Sequence, residues 1–372
     1  MFDVDFDIHA FAQHLQSKPQ PRLTVSPMLP RPFARIIVAM LGPNPTYDYY
    51  LAPRLRQFPD LEIIFSDFAP NRAKLNPEIF KDALIFFCRY ASTQWLNLVE
   101  RHRRVIAGTA LLLDDDLEAL ATDSTIPLPF RYWCYRLGIG LWPRLGPSLD
   151  LLFVSTPTLA ARHREAAPRL LPPIADDYDL PDRTVPRSRA VVAYHATRTH
   201  AAEKRWLLPV ARKVLRADPE IRFEIAAQGR IALRWGRLGR VDVVPPRPWP
   251  QYRLATRQQP SAIMLSPLLP SRTNASRSAT RRIDAARGGA ALLVSSAEIY
   301  QPSREEHALG MVVDLDPMRW ANAITDLVRE PERARRLADL NRGQVIAARD
   351  RQPPFLVPHV EAGRRLWRFV DP

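Results

Sequence analysis

Ala-Val-Val-Ala-Tyr-His-Ala-Thr-Arg-Thr-His, residues 190–200, reads as a short apolar strand that runs out into a polar turn. An unbroken apolar run of this length suits a strand covered on both faces of a parallel sheet. The residues that follow supply one cover: Trp206, Leu207, Val210, Ala211, Val214 and Leu215 share a helical face. Ile221–Ala227, Val241–Pro245, Ser261–Pro267 and Ala290–Ser296 continue the series as expected strands. Asp316-Pro317 opens a helix bearing Trp320, Ile324, Leu327 and Val328, with aspartate as its cap and proline in its first turn. Strands alternating with helices predict an α/β domain built on a parallel sheet.

The same alternation lies upstream. Ala34–Leu41, Leu61–Phe68, Ala83–Arg89, Val105–Leu113 and Leu149–Ser155 are expected strands, with helices such as Thr93–Arg103 and Pro127–Leu141 between them. Between the two series, Leu170–Pro186 holds four prolines and four aspartates among few apolar residues, the composition of a link. The expected division is an N-terminal extension (1–33), a first domain (34–170), a linker (171–186), a second domain (187–345) and a closing segment (346–372) that returns to the first.

With 372 residues the chain is long enough for two cores, and 46% hydrophobic with 25% charged residues is ordinary for a globular protein. No apolar run approaches the roughly 18 residues that span a bilayer. The N-terminus, MFDVDFDIHAF, is acidic where a secretory signal is basic. Cys88 and Cys134 are too few for a disulfide scaffold, so a cytoplasmic setting is expected. The net charge of +14 is unevenly placed: 19 Lys/Arg face 17 Asp/Glu in residues 1–170, and 34 face 22 in the remainder. The basic half is the second, a placement that suits nucleic acid, an anionic membrane surface or a phosphate-bearing ligand, and equally a plain compositional bias toward arginine. No nucleic-acid-binding module accompanies the charge.

Two segments of that half carry the chemistry. Asn274-Ala-Ser-Arg-Ser-Ala-Thr-Arg-Arg-Ile-Asp284 follows a strand ending in Ser266–Pro270. Short polar side chains before a helix leave its first N–H groups for an anion, and Arg277, Arg281 and Arg282 add positive charge. Asp284 lies six residues beyond Ser278, about 9 Å along a helix, the reach from a pyrophosphate to a ribose hydroxyl. The second segment is Tyr194–His200, beyond the carboxyl end of its strand, where open α/β sheets bind ligands. Thr197 and Arg198 suit a phosphate, and His195 and His200 are either a proton shuttle or ordinary loop residues. No set of ligands at metal spacing accompanies them.

The run from Tyr194 to about Leu340 resembles the C-terminal domain of GT-B glycosyltransferases of bacterial polysaccharide biosynthesis (glycosyltransferase family 1/4-like). The likeness rests on YHATRTH with Glu203, then on Asn274, Ser278, Arg281, Asp284 and Gly289 at the family's spacing, and on Ser295 with Tyr300. Arg281 stands where lysine is usual, Ala196 where glycine is frequent, and Ser276 where many retaining relatives carry a glutamate. The resemblance implies two Rossmann-like domains facing a cleft and a metal-independent transferase without a cofactor. Its donor would be a nucleotide-sugar, UDP- or GDP-linked. It also implies Thr197, Arg198, Asn274, Ser278, Arg281, Asp284 and Tyr300 as donor-binding residues, with a glycan or lipid-linked acceptor on the first domain. A nucleotide-sugar epimerase or hydrolase, or a non-catalytic nucleotide-sugar-binding partner, is the alternative.

Asp114-Asp115-Asp116 follows the apolar strand Val105–Leu113; its DxD-like pattern could suggest the metal site of the other main glycosyltransferase fold, but the donor segments lie in the other half, which leaves two readings. It is either a structural acidic turn or the place of a general base, Asp115 the candidate, for an acceptor hydroxyl. Arg131–Gly146 (RYWCYRLGIGLWPRLG) interleaves aromatics with arginines, the pattern of a segment resting on an anionic inner-membrane surface or of a helix packed on the core.

Overall fold

The computed structural model describes residues 11, 22–26, 29–67, 70, 76–181, 191–259, 261–296 and 298–370. The chain forms two compact units. The first gathers residues 1–42, 54–172 and 354–372; the second gathers 43–53 and 173–353. This division differs from the expected one in three places, the first being that the expected link from Pro173 onward belongs to the second unit. Residues 43–53 leave the first half of the sequence for the second unit, and the second unit continues to Pro353 because its last helix, Pro331–Asp350, runs unbroken past residue 345. The expected extension lies largely outside the described residues, as do positions 182–186 of the link and 187–190 of the expected second domain.

In the first unit, β1 (Arg35–Met40), β2 (Glu62–Asp67), β3 (Ala83–Cys88), β4 (Gly108–Leu113), β5 (Leu151–Val154) and β6 (Arg169–Leu170) form one parallel sheet in the order β2-β1-β3-β4-β5-β6. β3, β4 and β5 are buried at every position, which is why they read as continuous apolar runs. Arg131–Gly146 folds as short helices that bury Tyr132, Cys134, Ile139, Trp142 and Leu145. Two of its arginines serve the same unit: Arg131 donates to the Ala121 carbonyl at 2.9 Å and Arg144 to Glu100 at 2.7 Å.

The second unit holds β7 (Val191–Tyr194), β8 (Arg222–Ala226), β9 (Val241–Val244), β10 (Ile263–Ser266), β11 (Ala291–Ser295) and β12 (Val312–Val313). Their order is β12-β11-β10-β7-β8-β9, all parallel. Counted within the unit this is 3-2-1-4-5-6, the Rossmann order, which reverses direction between β7 and β10. The helix Ala201–Ala217 buries Leu207, Val210, Ala211, Val214 and Leu215 as its periodicity requires. Asp316 caps Pro317–Arg329 through the Arg319 N–H at 2.8 Å.

Residues 354–370 return to the first unit as a hairpin: β13 (Leu356–Glu361) pairs antiparallel with β14 (Arg364–Phe369). Phe355, Phe369 and Phe153 meet with ring centroids 5.3–5.7 Å apart, and Phe33 bridges to Trp367. Among the described residues no helix is long and apolar enough to cross a membrane.

Candidate functional site

Where sheet order reverses, the loops leaving the two central strands diverge and leave a crevice that no crossover covers. In the second unit those loops follow β7 and β10, and they carry the two segments singled out above.

After β7, the His195 Nε2 sits 2.6 Å from Glu224 Oε1 on β8, and the ring meets Tyr252 edge-on at 5.7 Å. The bond to His195 holds the Glu224 carboxyl below the ordinary range. His195 Nδ1 is buried without a partner among the described residues. Thr197 is exposed, its hydroxyl 2.9 Å from that of Thr199. Arg198 opens a 3-10 turn to His200, and its side chain lies outside the described residues. Lys204, which the sequence reading passed over, supports this loop from beneath by donating to the carbonyls of Ala196 and Thr197 at 2.8 and 3.0 Å. Burial lowers its pKa to about 8.

After β10, Asn274 donates to Glu203 at 2.6 Å and to the Leu269 carbonyl at 2.8 Å, which ties the two loops together. Arg277 reaches the Thr199 hydroxyl at 3.2 Å. The helix Thr280–Gly288 starts at Ala279 with no side-chain cap, so neither Ser276 nor Ser278 serves as one. Its end needs a left-handed residue, and Gly289 supplies it at φ 66°.

Arg281, in the first turn, donates to the His195 carbonyl, to Tyr252 Oη at 3.1 Å and to Asp284 Oδ2 at 2.9 Å. Asp284 is 4% exposed and accepts from four groups: Arg281, Arg287 at 3.0 Å, Tyr252 at 3.1 Å, and the Tyr49 phenol. Burial alone would raise its pKa, but Arg287 and Arg281 outweigh burial and hold it below the ordinary carboxylate value. Ser278 Oγ is bonded to Tyr50 Oη. Tyr300 is buried, its hydroxyl 2.5 Å from Ser266 at the end of β10.

Thus the structure brings His195, Thr197, Asn274, Ser278, Arg281 and Asp284 around one switch point, with Tyr300 packed under it. Arg282 is different. It turns inward to the Tyr300 carbonyl (2.9 Å), Glu306 (2.7 Å) and Asn341 (3.0 Å), so it lends no charge to the loops.

His200 lies beside Glu203, Nδ1 to Oε2 3.7 Å. Burial first and Arg277 second lower its pKa from 6.5 to about 4, against the opposing pull of Glu203. The unfolded chain therefore takes up this proton at a higher pH than the folded one, and stability falls as pH drops from about 6.5 to about 4. Urea melts across that window should show a shallower loss for His200→Asn than for the parent chain. Parallel losses in the two proteins would remove His200 from the acid response.

The acidic turn of the first unit is largely committed. Asp116 caps Leu117–Thr122 through the Ala119 N–H at 2.9 Å and pairs with Arg162. Arg89 Nε reaches Asp114 at 2.6 Å, and its Nη2 lies 3.3 Å from Asp115. Arg89, at φ 68° just beyond β3, is a second residue the sequence reading missed.

HepE of Anabaena, solved with UDP-glucose, superposes with a TM-score of 0.57 over 84% of this chain and 94% of its own, at 11% identity. TarM of S. aureus gives a TM-score of 0.52 at 10% identity over 73% of this chain. The fold is GT-B. The chain spans about half the length of TarM, 53%, and nearly all of HepE. TarM has also been solved with UDP among its ligands. No family model matches the sequence, and no curated protein does. At such identities the likeness carries the GT-B fold and leaves the chemistry to the residues.

Proposed function

We propose that this GT-B protein is a cytoplasmic glycosyltransferase that moves a sugar from a nucleoside-diphosphate donor to a hydroxyl of a glycan or lipid-linked acceptor. The observation that carries this reading is the β7/β10 switch point of the second unit. Its two loops present Thr197, Thr199, Arg277 and Arg281 beside a helix start that no side chain caps. Charge developing on the departing diphosphate falls to that helix start and to the guanidinium groups, with Arg198 joining them. Asn274 holds the loops in register, Ser278 takes a phosphate oxygen and Asp284 a ribose hydroxyl; Tyr300 fixes the strand beneath. The cations are the chain's own, so the transfer runs without a metal. His195, paired with Glu224, is the proton-handling candidate beside the donor, and Asp115 the candidate base for the acceptor. Arg131–Gly146, with Arg136 exposed, is the segment for a peripheral contact with anionic lipid.

One observation favours a second reading, a non-catalytic nucleotide-sugar-binding partner. Asn274, Ser278 and Asp284 are each bonded to groups of the chain itself.

The test is donor turnover: release of nucleoside diphosphate from UDP- and GDP-sugars, with glycan extracted from cells as acceptor, with and without EDTA. Turnover that persists in EDTA is expected. Abolition by chelator with recovery on adding Mg²⁺ or Mn²⁺ overturns metal independence, and no turnover of any donor leaves the binding-partner reading in possession.

A further inference from the structure

Residues 43–53 follow β1 of the first sheet, yet they pack as part of the second unit. Gly42 releases them with φ at 60°, a turn that favours glycine. Tyr47–Leu51 then winds as a π-type turn closed by the Ala52 N–H on the Tyr47 carbonyl, a local widening that re-aims side chains and is frequent at functional sites. It buries Tyr49 and Tyr50 to 4% and 1% exposure.

Their polar ends land on the donor loops. The Tyr49 phenol donates to Asp284, and the Tyr50 hydroxyl is bonded to Ser278. Burial and the Asp284 charge raise the Tyr49 pKa, so this phenol keeps its proton for that carboxylate. A separate set of bonds anchors the segment. Asp48 accepts from Trp249 Nε1 at 2.6 Å and from Arg253 at 3.3 Å, Trp249 meets the Tyr49 ring at 5.1 Å, and the Tyr49 carbonyl accepts from the Ile174 N–H at 2.9 Å.

We infer that Tyr49 and Tyr50 are residues of the donor site that occupy it in the absence of ligand. The Tyr49 hydroxyl holds the place of a ribose hydroxyl on Asp284, the Tyr50 hydroxyl that of a phosphate oxygen on Ser278, and a nucleoside diphosphate enters by exchange with them. The inference rests on the nucleotide-site reading above. Its chemistry is a matched substitution. A phenol and a ribose hydroxyl both present one O–H to a buried carboxylate, so Asp284 keeps its fourth donor beside Arg281, Arg287 and Tyr252 in either state. The exchange lowers apparent affinity, because the competent state is reached only when the phenols withdraw. It also makes the pair a filter, since a ligand that offers no hydroxyl to Asp284 has nothing to exchange for the Tyr49 bond.

Removing one phenolic oxygen while keeping the ring isolates the effect. Tyr49→Phe, Tyr50→Phe and the double variant keep their ring packing and the Asp48 anchor. Calorimetric titration of UDP into the full chain is the measurement, with 2′,3′-dideoxy-UDP as the second probe. The expected result is that UDP binds Tyr49→Phe about tenfold more tightly than the parent chain and the double variant more tightly still. The dideoxy analogue should gain nothing from Tyr49→Phe. Equal UDP affinities in all four proteins overturn the occupancy while the nucleotide site stands. Weaker binding by the Phe variants shows that the phenols hold the ligand and overturns exchange. Absence of UDP binding in all four, each folded by circular dichroism, overturns the nucleotide reading and the inference with it.

Discussion

Arg287→Ala is expected to lower folding stability by about 3–5 kcal/mol, the scale of breaking a buried ion pair on one side only. The guanidinium is wholly buried and donates to Asp179 at 2.6 Å, Asp284 at 3.0 Å, Thr256 at 3.2 Å and Tyr49 at 3.3 Å. Removing it takes one cationic partner from each of two buried carboxylates. Asp179 keeps Arg253 at 3.0 Å and Asp284 keeps Arg281, so the loss stops short of two uncompensated charges. Arg287→Lys keeps the charge but not the fork and should fall between the parent and the alanine variant. Urea denaturation of the three proteins decides it. A cost under about 1 kcal/mol for the alanine variant would mean that water or rearranged arginines reach the site.

Arg281→Ala is expected to cost about 2–3 kcal/mol of transition-state stabilisation, roughly 30- to 150-fold in kcat/KM for donor turnover. Arg281 sits one turn from Asp284 and spends its bonds on the His195 carbonyl, Tyr252 and Asp284. Burial opposes its charge, but Tyr252 and Asp284 hold its pKa above the ordinary guanidinium value, so it stays cationic throughout the working range. Arg281→Lys retains the charge and should keep much of the turnover. A role confined to bracing the loops predicts instead that both variants lose stability and that kcat is spared. Equal rates in all three proteins would place the phosphates elsewhere.

The strands were legible where burial is two-sided. ALIFFC in β3 has no polar position to blur the reading, and ALLVS in β11 has only its last residue, the buried Ser295. β6 and β12, two residues each, carry no period at all. The hairpin was hidden because β14 spends three of its six positions on exposed arginines, and their register is set by Phe33 and Asp82, more than 280 residues upstream. The helix Trp249–Gln258 was missed for a related reason: among its residues only Thr256 is buried, and it is fixed through Tyr252 and Arg253 rather than by an apolar stripe.

In the site, the spacing from Asn274 to Asp284 was readable because helix pitch is local. The partners of those residues were not. Tyr49 meets Asp284 from 235 positions away, and Tyr50 meets Ser278 from 228. A signal existed in TYDYY, three tyrosines around an aspartate in a stretch bounded by prolines, a composition too aromatic for an idle loop. Arg282 shows the converse. Its charge was legible, but its direction depended on Glu306 and Asn341.

Everything proposed for the donor site depends on a nucleoside diphosphate binding at the β7/β10 switch point of the second unit. Hydrogen–deuterium exchange on the intact chain, with and without a saturating nucleotide-sugar, tests it most directly. Slowed exchange is expected in residues 195–204 and 274–288, unchanged by EDTA. Protection centred on Asp114–Asp116 instead, or protection that appears only when Mg²⁺ or Mn²⁺ is added, would contradict it.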